Sequence, residues 1–566
     1  MNLLLLPYQA TTIVPLETLD LTHIRQSIGT PRRNLAHSGK PLSVDGKTYA
    51  RGIGTHAESY FRLKLDGKAK RFKSLVALDD DGERFWGTGV RFWLEGDGKI
   101  LAQTRGIRRG AAPVPLEADL TGIKTLTLVA AANGFGIRGD TADWIEPTIE
   151  MTSGVPRPER VPIEKPQILT PKPGPKPRLT GPKLFGVRPG HPIVFSITAT
   201  GERPMRFSAT GLPSGVSLNP ATGALGGRID DPGTYEVALV AENAKGRGER
   251  RFKLVVGEAL ALTPPLGWNS WNSFDWRVTQ AQVEGAAEIL SQKLKNHGWL
   301  SVNVDDAWQG YRGGPHNAIQ TNRKFPNIKG MVDKIHALGL RAGIYSSPWM
   351  ETYAGHIGGT ADNAEGKYEW LARADDTQQG GGGGRFQRVG PFSFVAKDTK
   401  QFAEWGFDYL KYDWNPIDVP NTKIAYDLMR ASGRDIVFSL SNSARLNDAA
   451  GLAQYSQLWR TSGDMSDTWG AIRQNAFDKA AWAPFQGPGH WADEDMLVVG
   501  RVSVGEELHP TRLTPNEQVL HITQWCLLAS PLLIGCDLAA LDPFTLSLLT
   551  NDEVLDVDQD PLGKMG

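Results

Sequence analysis

The most constraining feature of the sequence is a regular alternation of strand-like and helix-like segments through residues 259–566. Short apolar runs such as LSVNVDDAW, LRAGIYSSP, FDYLKYDWN and DIVFSLSNS are separated by helical segments such as MVDKIHALG. A parallel sheet whose strands are joined by helices produces this order. Because the repeats continue over roughly 300 residues, they predict a (β/α)8 barrel in preference to an open sheet.

Two of the barrel helices have clearly marked starts. Thr279 is followed by Gln282 three residues later, which is the pattern of a capping box. Thr514 is followed by Pro515, at the favoured first helical position, and by Glu517. We therefore expect one helix to begin directly after Thr279 and another directly after Thr514.

A proline-rich segment divides the rest of the chain. Residues 156–183 read PRPERVPIEKPQILTPKPGPKPRLTGPK, which predicts a semi-rigid linker over residues 153–183. Residues 1–152 and 184–258, on its two sides, both alternate short β-type runs with turns. The sequence thus predicts a multidomain protein in which two all-β sandwich domains precede a (β/α)8 TIM barrel at residues 259–566.

Charge and composition argue against several classes of partner. The 62 Lys and Arg residues balance the 62 Asp and Glu residues, so no overall field favours nucleic acid or an anionic membrane. No apolar run is long enough for a membrane-spanning helix. The N-terminal MNLLLLP lacks the basic start of a signal peptide. This balance suits a neutral substrate, and the apolar surroundings of Cys526 and Cys536 predict buried thiols.

Polar and aromatic side chains follow the predicted barrel strands, at the rim where such barrels carry their chemistry. They are Trp268, Asp305, Asp306, Tyr345, Lys411, Asp413, Ser441, Arg460, Asp464 and Asp495. Solvated loop starts would explain some of these residues one at a time, but they explain the whole set poorly. We expect these residues to line an active site.

The residue types at this rim favour acid and base chemistry. The sequence contains no HExxH motif, no CxxC pair and no phosphate-binding or Rossmann glycine motif. Asp305 and Asp306 lack the further oxygen ligands of a Mg²⁺ or Ca²⁺ site, so we predict neither a metal nor another cofactor. Two separated carboxylates remain, Asp413 and Asp464, each accompanied by a cation. Glycoside hydrolysis requires such a pair.

The two carboxylates need opposite protonation states for that reaction. Lys411 lies two residues before Asp413 on the same strand, so both project to the same face. We expect the positive charge of Lys411 to keep Asp413 ionised and ready to attack. Asp464 must instead hold a proton, and the sequence gives no environment from which to predict this.

The barrel segment resembles glycoside hydrolase family 27, the melibiase-type α-galactosidases and α-N-acetylgalactosaminidases. The resemblance rests on PPLGWNSWNSF, VNVDDAWQ, GLRAGIYSSP, WGFDYLKYDWN, WRTSGD, GPGHWADEDMLVVG, SPLLIGCDL and DQDPLGK, all in the family's order and spacing. It implies a retaining exo-α-galactosidase acting on an oligosaccharide or glycan. Asp413 would be the nucleophile, Asp464 the general acid and then base, and Arg460 a contact of the sugar 2-position.

The resemblance also implies the residues that hold the sugar. Asp305 and Asp306 would bind O4 and O6 of a galactose-configured ring, and Lys411 would reach O3 and O4. Trp268 would pack against the ring, and Asp495 would help to close the pocket. Tyr345, at the same rim, is counted with these substrate-binding residues.

The segment VFSLSNSARL departs from the family and leaves the substrate open. Galactose-preferring animal members carry a glutamate and a bulky apolar residue here, whereas the N-acetylgalactosaminidases carry serine and alanine. This chain has Ser441 and Ala444, which would give room for an acetamido group. A different backbone path, with Ser441 and Asn442 contacting a plain 2-hydroxyl, is the alternative.

Two further activities remain as alternatives. A β-L-arabinopyranosidase would act on a sugar that shares the ring hydroxyls of galactose but lacks C6, and the presence of both Asp305 and Asp306 argues mildly against it. A non-catalytic carbohydrate-binding protein is a rival of a different class, and the presence of Asp413, Arg460 and Asp464 argues against it.

Residues 348–394 form a longer connection than barrel loops usually have. This insertion contains the glycine run at 380–384 and follows a barrel strand, so it either shapes the leaving-group subsites, acts as a lid, or is disordered. Family members usually continue past DQDPLGK into a C-terminal β-domain, which is either absent here or missing from a truncated sequence.

The front of the chain resembles modules that are attached to such hydrolases. RGIGTHA, FKSLVALDDDG, FWLEGDGK and GDTADWIEP resemble the NPCBM module, whose implied partner is a carbohydrate. His56, Asp143 and Trp144 are candidates either for surface contacts with it or for packing within the sandwich. GLPSGVSLNPATGALGG resembles the Ig-like spacers of bacterial extracellular enzymes. Together these modules predict a secreted or periplasmic bacterial enzyme.

Overall fold

The computed structural model describes residues 11–82, 89–133, 136–367, 387–503 and 507–566. The N-terminal MNLLLLP and the glycine run at 380–384 lie outside the described residues. The chain forms two compact units, one within Met1–Lys165 and Thr468–Ala471, the other within Pro166–Asp467 and Ile472–Gly566. No helix in the described ranges combines the length and apolarity needed to cross a bilayer.

The first unit is a β-sandwich. One sheet has the order Val114–Asp119, Ala69–Leu78, Thr141–Met151, Gly52–His56, Arg32–Arg33, and Thr12–Pro15 also pairs with Thr141–Met151. The other has the order Lys99–Gln103, Val90–Gly96, Thr125–Ala132, Ser59–Lys64, Arg157–Glu159, and Arg25–Gln26 also pairs with Ser59–Lys64. Strict alternation of burial along Val90–Gly96 turns every second side chain into the core. The predicted sandwich is confirmed.

The core of this sandwich decides the role of three residues suggested by the sequence. His56, Asp143 and Trp144 are all buried. The Trp144 ring packs edge-on against Phe72 and Phe92, at centroid distances of 6.2 and 5.2 Å. Packing within the sandwich is therefore the role these three residues have here, and the alternative of surface contacts is wrong.

A second, smaller sandwich opens the second unit. Its four-stranded sheet has the order Leu184–Val187, Gly246–Val256, Gly233–Asn243, Arg206–Thr210. Its three-stranded sheet has the order Phe195–Ser196, Ala224–Gly227, Val216–Leu218, and Arg178–Thr180 pairs with Thr198–Thr200. Phe195 and Phe252 stack between the sheets with ring centroids 5.2 Å apart. This part also matches its prediction.

The remainder of the second unit is a barrel of eight parallel strands. In chain order they are β1 (Leu266–Asn269), β2 (Ser301–Asn303), β3 (Arg341–Ser346), β4 (Tyr409–Asp413), β5 (Val437–Ser441), β6 (Leu458–Arg460), β7 (Trp491–Asp493) and β8 (Leu532–Ile534). Each strand pairs with its neighbours in this order, and β8 pairs with β1. Leu497, just after β7, pairs with Ile534 of β8 and closes the ring. The predicted (β/α)8 barrel is confirmed.

Helices connect the strands, and the two helices with a predicted start begin directly after Thr279 and Thr514. The α-helices of at least seven residues are α1 (Gln280–Ile289), α2 (Ile328–Ala337), α3 (Val395–Trp405), α4 (Val419–Arg430), α5 (Ala449–Tyr455), α6 (Trp469–Ala476), α7 (Pro515–Leu527), α8 (Pro543–Leu549) and α9 (Asp552–Asp558). The capping boxes of Thr279 with Gln282 and of Thr514 with Glu517 are both formed. Each box satisfies amide groups that the first helical turn leaves unpaired.

The smaller sandwich packs directly on the barrel. Arg188 donates from its backbone N to Asp435 Oδ2 at 2.9 Å and from Nε to Oδ1 at 2.5 Å. Its Nη1 and Nη2 donate to the carbonyls of Arg430 and Arg434 at 2.8 and 2.7 Å. Asp435 precedes β5, so this contact lies at the N-terminal face of the barrel. The rim formed by the C-terminal ends of the strands is on the opposite face. The module is thus fixed to the base of the barrel.

We expect an Arg188→Ala variant to lose about 3 to 5 kcal/mol of stability, because the buried Asp435 carboxylate is left without its partner. Both side chains are about nine-tenths buried, at 9% and 10% exposure. Chemical denaturation of the full chain measures the loss. Arg206→Ala, which removes an exposed arginine from the same module, is the matched control and should change stability little. A loss below about 1 kcal/mol for Arg188→Ala would mean that the ion pair is not structurally important.

Candidate active site

Asp413 is the last residue of β4, and both of its carboxylate oxygens are held. The Tyr345 hydroxyl, from β3, donates to Oδ2 at 2.9 Å. The Asn442 side-chain amide, directly after β5, donates to Oδ1. Asn442 has a left-handed backbone with φ of 79°, a conformation that few residues other than glycine adopt. Neighbouring strands on both sides therefore fix the plane of the Asp413 carboxylate.

The protonation of Asp413 differs from the expectation. Burial raises its pKa to about 7, and this effect outweighs the nearby positive charges of Lys411 and Arg460. Lys411 donates instead to Asp305 Oδ2, at 2.8 Å. Lys411 does stand beside Asp413 as predicted and lowers the pKa of that carboxyl, but not enough to overcome its burial. The prediction that Lys411 keeps Asp413 ionised is wrong for the free site.

Asp464 is paired with Arg460, four residues earlier. Arg460 Nη1 donates to Asp464 Oδ1. Burial favours the neutral acid, but the charge of Arg460 outweighs it and lowers the pKa of Asp464 below its usual value. The Asp464 side chain remains 49% exposed, whereas that of Arg460 is only 3% exposed. The contact with Arg460 thus favours the charged form of Asp464.

Arg460 ties several of the predicted residues together. Its Nη1 donates to Ser441 Oγ at 3.2 Å, and its Nη2 lies 3.4 Å from Asp495 Oδ2. The backbone N of Ala444 donates to the Arg460 carbonyl at 2.8 Å. Ser441, Ala444 and Asp495 are buried. A single arginine therefore fixes both the segment after β5 and the segment after β7.

The two aspartates after β2 have different surroundings. Asp305 Oδ2 accepts from Asn269 Nδ2 at 2.7 Å as well as from Lys411. Asp306 accepts backbone N–H groups, from Ala307 at 2.7 Å and from Ala354 at 2.9 Å. Burial raises the pKa of Asp306 to about 6. Asp305 belongs to a charged network with Lys411, whereas Asp306 also anchors the segment that follows β3.

Trp268 lies at the end of β1 but has no exposed surface. Its indole N–H donates to the Cys536 carbonyl at 2.9 Å and to Ser273 Oγ at 3.2 Å. The side chain is 0% exposed. Its contact with a sugar ring therefore stays a prediction. Cys526 and Cys536 are free and buried, as expected.

Sequence reasoning missed two residues near the site, Asp493 and Tyr353, and it suggested a different contact for Asn442. The sequence suggests Asn442 only as a partner of a sugar 2-hydroxyl, whereas its side chain donates to Asp413. Asp493, the last residue of β7, has a pKa raised to about 7 by burial and by the charge of Asp495. Tyr353 lies in the long connection after β3, where no sequence period predicts a position. Asp493 could have been found by the rule that selected the other strand ends.

The charged side chains described above at the rim are thus several carboxylates, one lysine and one arginine. Within the described ranges no group of three His, Cys, Asp or Glu side chains is arranged to hold a metal ion. Asp413 and Asp464 influence each other's charge across the site. One oriented carboxylate facing a second, partly exposed one can provide a nucleophile and a proton donor.

Comparisons with known proteins identify the family. The family model described as Alpha galactosidase A matches residues 382–560, NPCBM/NEW2 domain matches 13–150, and Putative Ig domain matches 176–257. The alpha-galactosidase of Oryza sativa subsp. japonica is 32% identical over 334 residues, which cover 58% of this chain and 70% of the relative. The chain belongs to glycoside hydrolase family 27. This family 27 protein is therefore an enzyme of the glycoside hydrolase class.

The chain is also similar to a solved structure and to a second relative. The crystal structure of a putative alpha-galactosidase from Bacteroides fragilis is 32% identical, has a TM-score of 0.60, and covers 69% of this chain and 80% of its own. The alpha-N-acetylgalactosaminidase of Gallus gallus is 27% identical over 334 residues, covering 54% of this chain and 73% of the relative.

Proposed function

We propose that the protein is an exo-α-galactosidase that removes terminal α-D-galactosyl residues with retention of configuration. The observation that carries the proposal is the Asp413 carboxylate, which is held through both oxygens at the end of β4 and lies within electrostatic reach of the hydrogen-bonded pair of Arg460 and Asp464. A carboxylate held in this way is oriented for attack on a single carbon atom. The rice relative, which is 32% identical to this chain over 334 residues, is an alpha-galactosidase.

The reaction proceeds in two displacements. Asp413 attacks the anomeric carbon, and the bond to the leaving oxygen breaks as Asp464 gives that oxygen a proton. Asp464, now a carboxylate, then takes a proton from water, and the water oxygen displaces Asp413 from the anomeric carbon. Each displacement inverts the carbon, so the product keeps the configuration of the substrate. The Arg460 contact stabilises Asp464 in its charged state between the two steps.

The remaining rim residues bind the sugar in this proposal. Asp305 and Lys411 form a buried ion pair whose free lone pairs and N–H groups suit the hydroxyls of a neutral ring. Asp306 accepts two backbone N–H groups, and a carboxylate has lone pairs left for a further hydroxyl. A sugar that has O6 uses both aspartates, which favours galactose over arabinopyranose.

The segment after β5 favours galactose over N-acetylgalactosamine. The Ser441 hydroxyl is engaged by Arg460, and the Ala444 backbone N is engaged by the Arg460 carbonyl. Asn442 projects to the nucleophile from the same segment. A 2-acetamido group would have to compete with these contacts, whereas a 2-hydroxyl needs less room. N-acetylgalactosaminidase activity remains the second candidate because Ser441 and Ala444 are both present.

Paired substrates test this choice. We expect kcat/KM on an aryl α-galactoside to exceed that on the matching aryl α-N-acetylgalactosaminide by at least about 100-fold, because an acetamido group without space costs several kcal/mol. Both rates are measured with the same leaving group, protein concentration and buffer, and an aryl β-L-arabinopyranoside completes the set. A preference for the acetamido sugar would assign Ser441 and Ala444 to an N-acetyl pocket and overturn the proposal.

The pH dependence follows from the two carboxylates. Activity needs one proton on the pair, so it disappears at low pH, when both are protonated, and at high pH, when both are ionised. With a raised pKa of about 7 for Asp413 and a lowered one for Asp464, kcat/KM on an unactivated alkyl galactoside should form a bell whose basic limb lies near pH 7.

Removing the charge of Lys411 should move that basic limb. In Lys411→Met the pKa of Asp413 rises further, because the neighbouring positive charge that lowers it is gone. The limb then shifts to higher pH by about 1 unit or more. Lys423→Met, which removes an exposed lysine, is the control and should leave the profile in place. A shift to lower pH would mean that another group sets the limb.

The front modules extend the proposal beyond the barrel. We propose the domain boundaries predicted from the sequence, except that Arg157–Glu159 pairs within the first sandwich and Arg178–Thr180 within the second. We also propose that the first sandwich binds a carbohydrate. We further propose that the enzyme is exported from a bacterial cell, because a hydrolase with these modules would encounter glycans outside the cell. Glycan-array binding of the intact chain with the Asp413 nucleophile replaced would detect a ligand of this module without turnover.

A further inference from the structure

Asp464 lies on a short loop that follows β6, residues 461–465, which we call the Asp464 loop. The Asp464 side chain is 49% exposed, so packing against the core does little to fix it. The loop backbone is anchored instead, for example where Asn475 Nδ2 donates to the Gly463 carbonyl at 3.1 Å. The position of the Asp464 carboxyl group therefore depends on how firmly this loop is held.

A buried lysine binds two side chains of the Asp464 loop. Lys479 lies between α6 and the short 3-10 helix Ala480–Phe485. Its Nζ donates to Thr461 Oγ1 at 2.9 Å and to Ser462 Oγ at 2.5 Å, and it lies 3.3 Å from Glu494 Oε2. A lysine ammonium has three N–H groups, so these three neighbours account for all of them.

Glu494 connects this lysine and the loop to β7. Thr461 Oγ1, which accepts from Lys479, donates in turn to Glu494 Oε2. Glu494 directly follows β7, and its backbone N donates to Ser530 Oγ at 3.1 Å. The side chains of Lys479 and Glu494 are 7% and 0% exposed. Burying two charges costs free energy unless good geometry and further hydrogen bonds offset it, and here the hydroxyls of the loop supply those hydrogen bonds.

We propose that Lys479, held by Glu494, is a positioning residue for Asp464. It fixes the loop through the Thr461 and Ser462 hydroxyls, so that the exposed carboxyl group stays aligned with the leaving oxygen. Arg460 holds the carboxylate itself, whereas the buried pair holds the segment that carries it. The proposal rests on the function proposed above and extends its acid and base machinery to the segments after α6 and β7.

The proposal predicts a loss confined to the steps that need Asp464. In Lys479→Met both hydroxyls lose their donor, so the loop can shift and the acid is no longer aligned with the leaving oxygen. We expect the single-turnover rate on an unactivated alkyl galactoside to fall about 10-fold. Formation of the glycosyl-enzyme from a dinitrophenyl galactoside should stay within about 2-fold of wild type, because its leaving oxygen needs no proton. Lys423→Met, at an exposed lysine, should match wild type on both substrates.

A second pair of variants separates loop position from folding and from the lost charge. Thr461→Val keeps the shape of the side chain and the charge of Lys479, but it removes the hydroxyl that links Lys479 to Glu494. It should reproduce the selective loss on the alkyl galactoside, whereas Thr461→Ser, which keeps the hydroxyl, should remain close to wild type. A Thr461→Val variant as active as wild type would overturn the proposal.

A double variant tests whether the effect of Lys479 passes through Asp464. In an Asp464→Ala background, Lys479→Met should change the rate on the alkyl galactoside by less than about 2-fold. Additive losses, or equal losses of Lys479→Met on the two substrates, would overturn the proposal.

The crystal structure of Lys479→Met without substrate gives an independent readout. We expect the Asp464 loop to be displaced from its wild-type position, and an unmoved loop would also overturn the proposal. If wild type does not cleave α-galactosides, the proposed function fails, whereas this structure still decides whether Lys479 positions the loop.

Discussion

An Asp413→Ala variant is expected to hydrolyse α-galactosides on the order of 10⁵-fold more slowly than wild type, because the two-step reaction loses its nucleophile. Both oxygens of Asp413 are held by neighbouring strands, so no other carboxylate on the rim can take over its place without rearrangement. The measurement is kcat/KM on an aryl α-galactoside, with protein purified away from host galactosidases. An unchanged rate would exclude Asp413 from catalysis and reopen the carbohydrate-binding alternative.

Two controls separate lost chemistry from lost structure. Asp427→Ala removes an exposed aspartate of α4 and should retain full activity. The isosteric Asp413→Asn should be at least as stable as wild type at neutral pH. Burial raises the Asp413 pKa to about 7, so above the unfolded value the charged group disfavours the folded state, and the amide avoids that cost.

Azide gives a positive signal from the same variant. A small anion can enter the space left by the carboxylate and attack the anomeric carbon directly. One displacement replaces two, so the product is the glycosyl azide of inverted, β configuration. Rescue with a product of α configuration would contradict the assignment.

An Asp464→Ala variant should show losses that depend on the leaving group. For an unactivated alkyl galactoside the first step needs the proton that Asp464 supplies, and we expect a decrease of about 10³-fold. For a dinitrophenyl galactoside the leaving oxygen needs no proton, so formation of the glycosyl-enzyme should be nearly unaffected and its hydrolysis should become rate-limiting. Single-turnover kinetics on the two substrates measures the difference.

Equal losses on both substrates would contradict the role of Asp464 as proton donor. The Asp464 side chain is 49% exposed, so its removal should leave the fold intact, and thermal unfolding measured alongside the kinetics checks this. Asp448→Ala, at the end of the short 3-10 helix before α5, is the control and should retain activity on both substrates.

The barrel and much of its rim could be predicted because they depend on local rules. The capping boxes at Thr279 and Thr514 fixed two helix starts, and both are formed. The position of Lys411 beside Asp413 follows from the two-residue period of a strand. Active-site residues of such barrels lie at the C-terminal ends of the strands, and this rule selects candidate residues from many parts of the chain.

Other features depend on tertiary contacts that have no local pattern. Burial raises the pKa of Asp413, whereas the charge of Arg460 outweighs burial and lowers the pKa of Asp464. The hydrogen-bond partner of Lys411 is Asp305, which follows a different strand. The contact of Arg188 with Asp435 likewise joins two domains that the sequence suggests only as separate modules.

Trapping the covalent intermediate tests the central claim most directly. A 5-fluoro-α-galactosyl fluoride carries a good leaving group, and its ring fluorine slows the second displacement, so the glycosyl-enzyme accumulates. The account predicts one fluorogalactosyl group per chain, attached to the peptide that contains Asp413 and lost on slow reactivation. Attachment to a different carboxylate, or turnover of α-galactosides in which β-galactose is the first product, would contradict it.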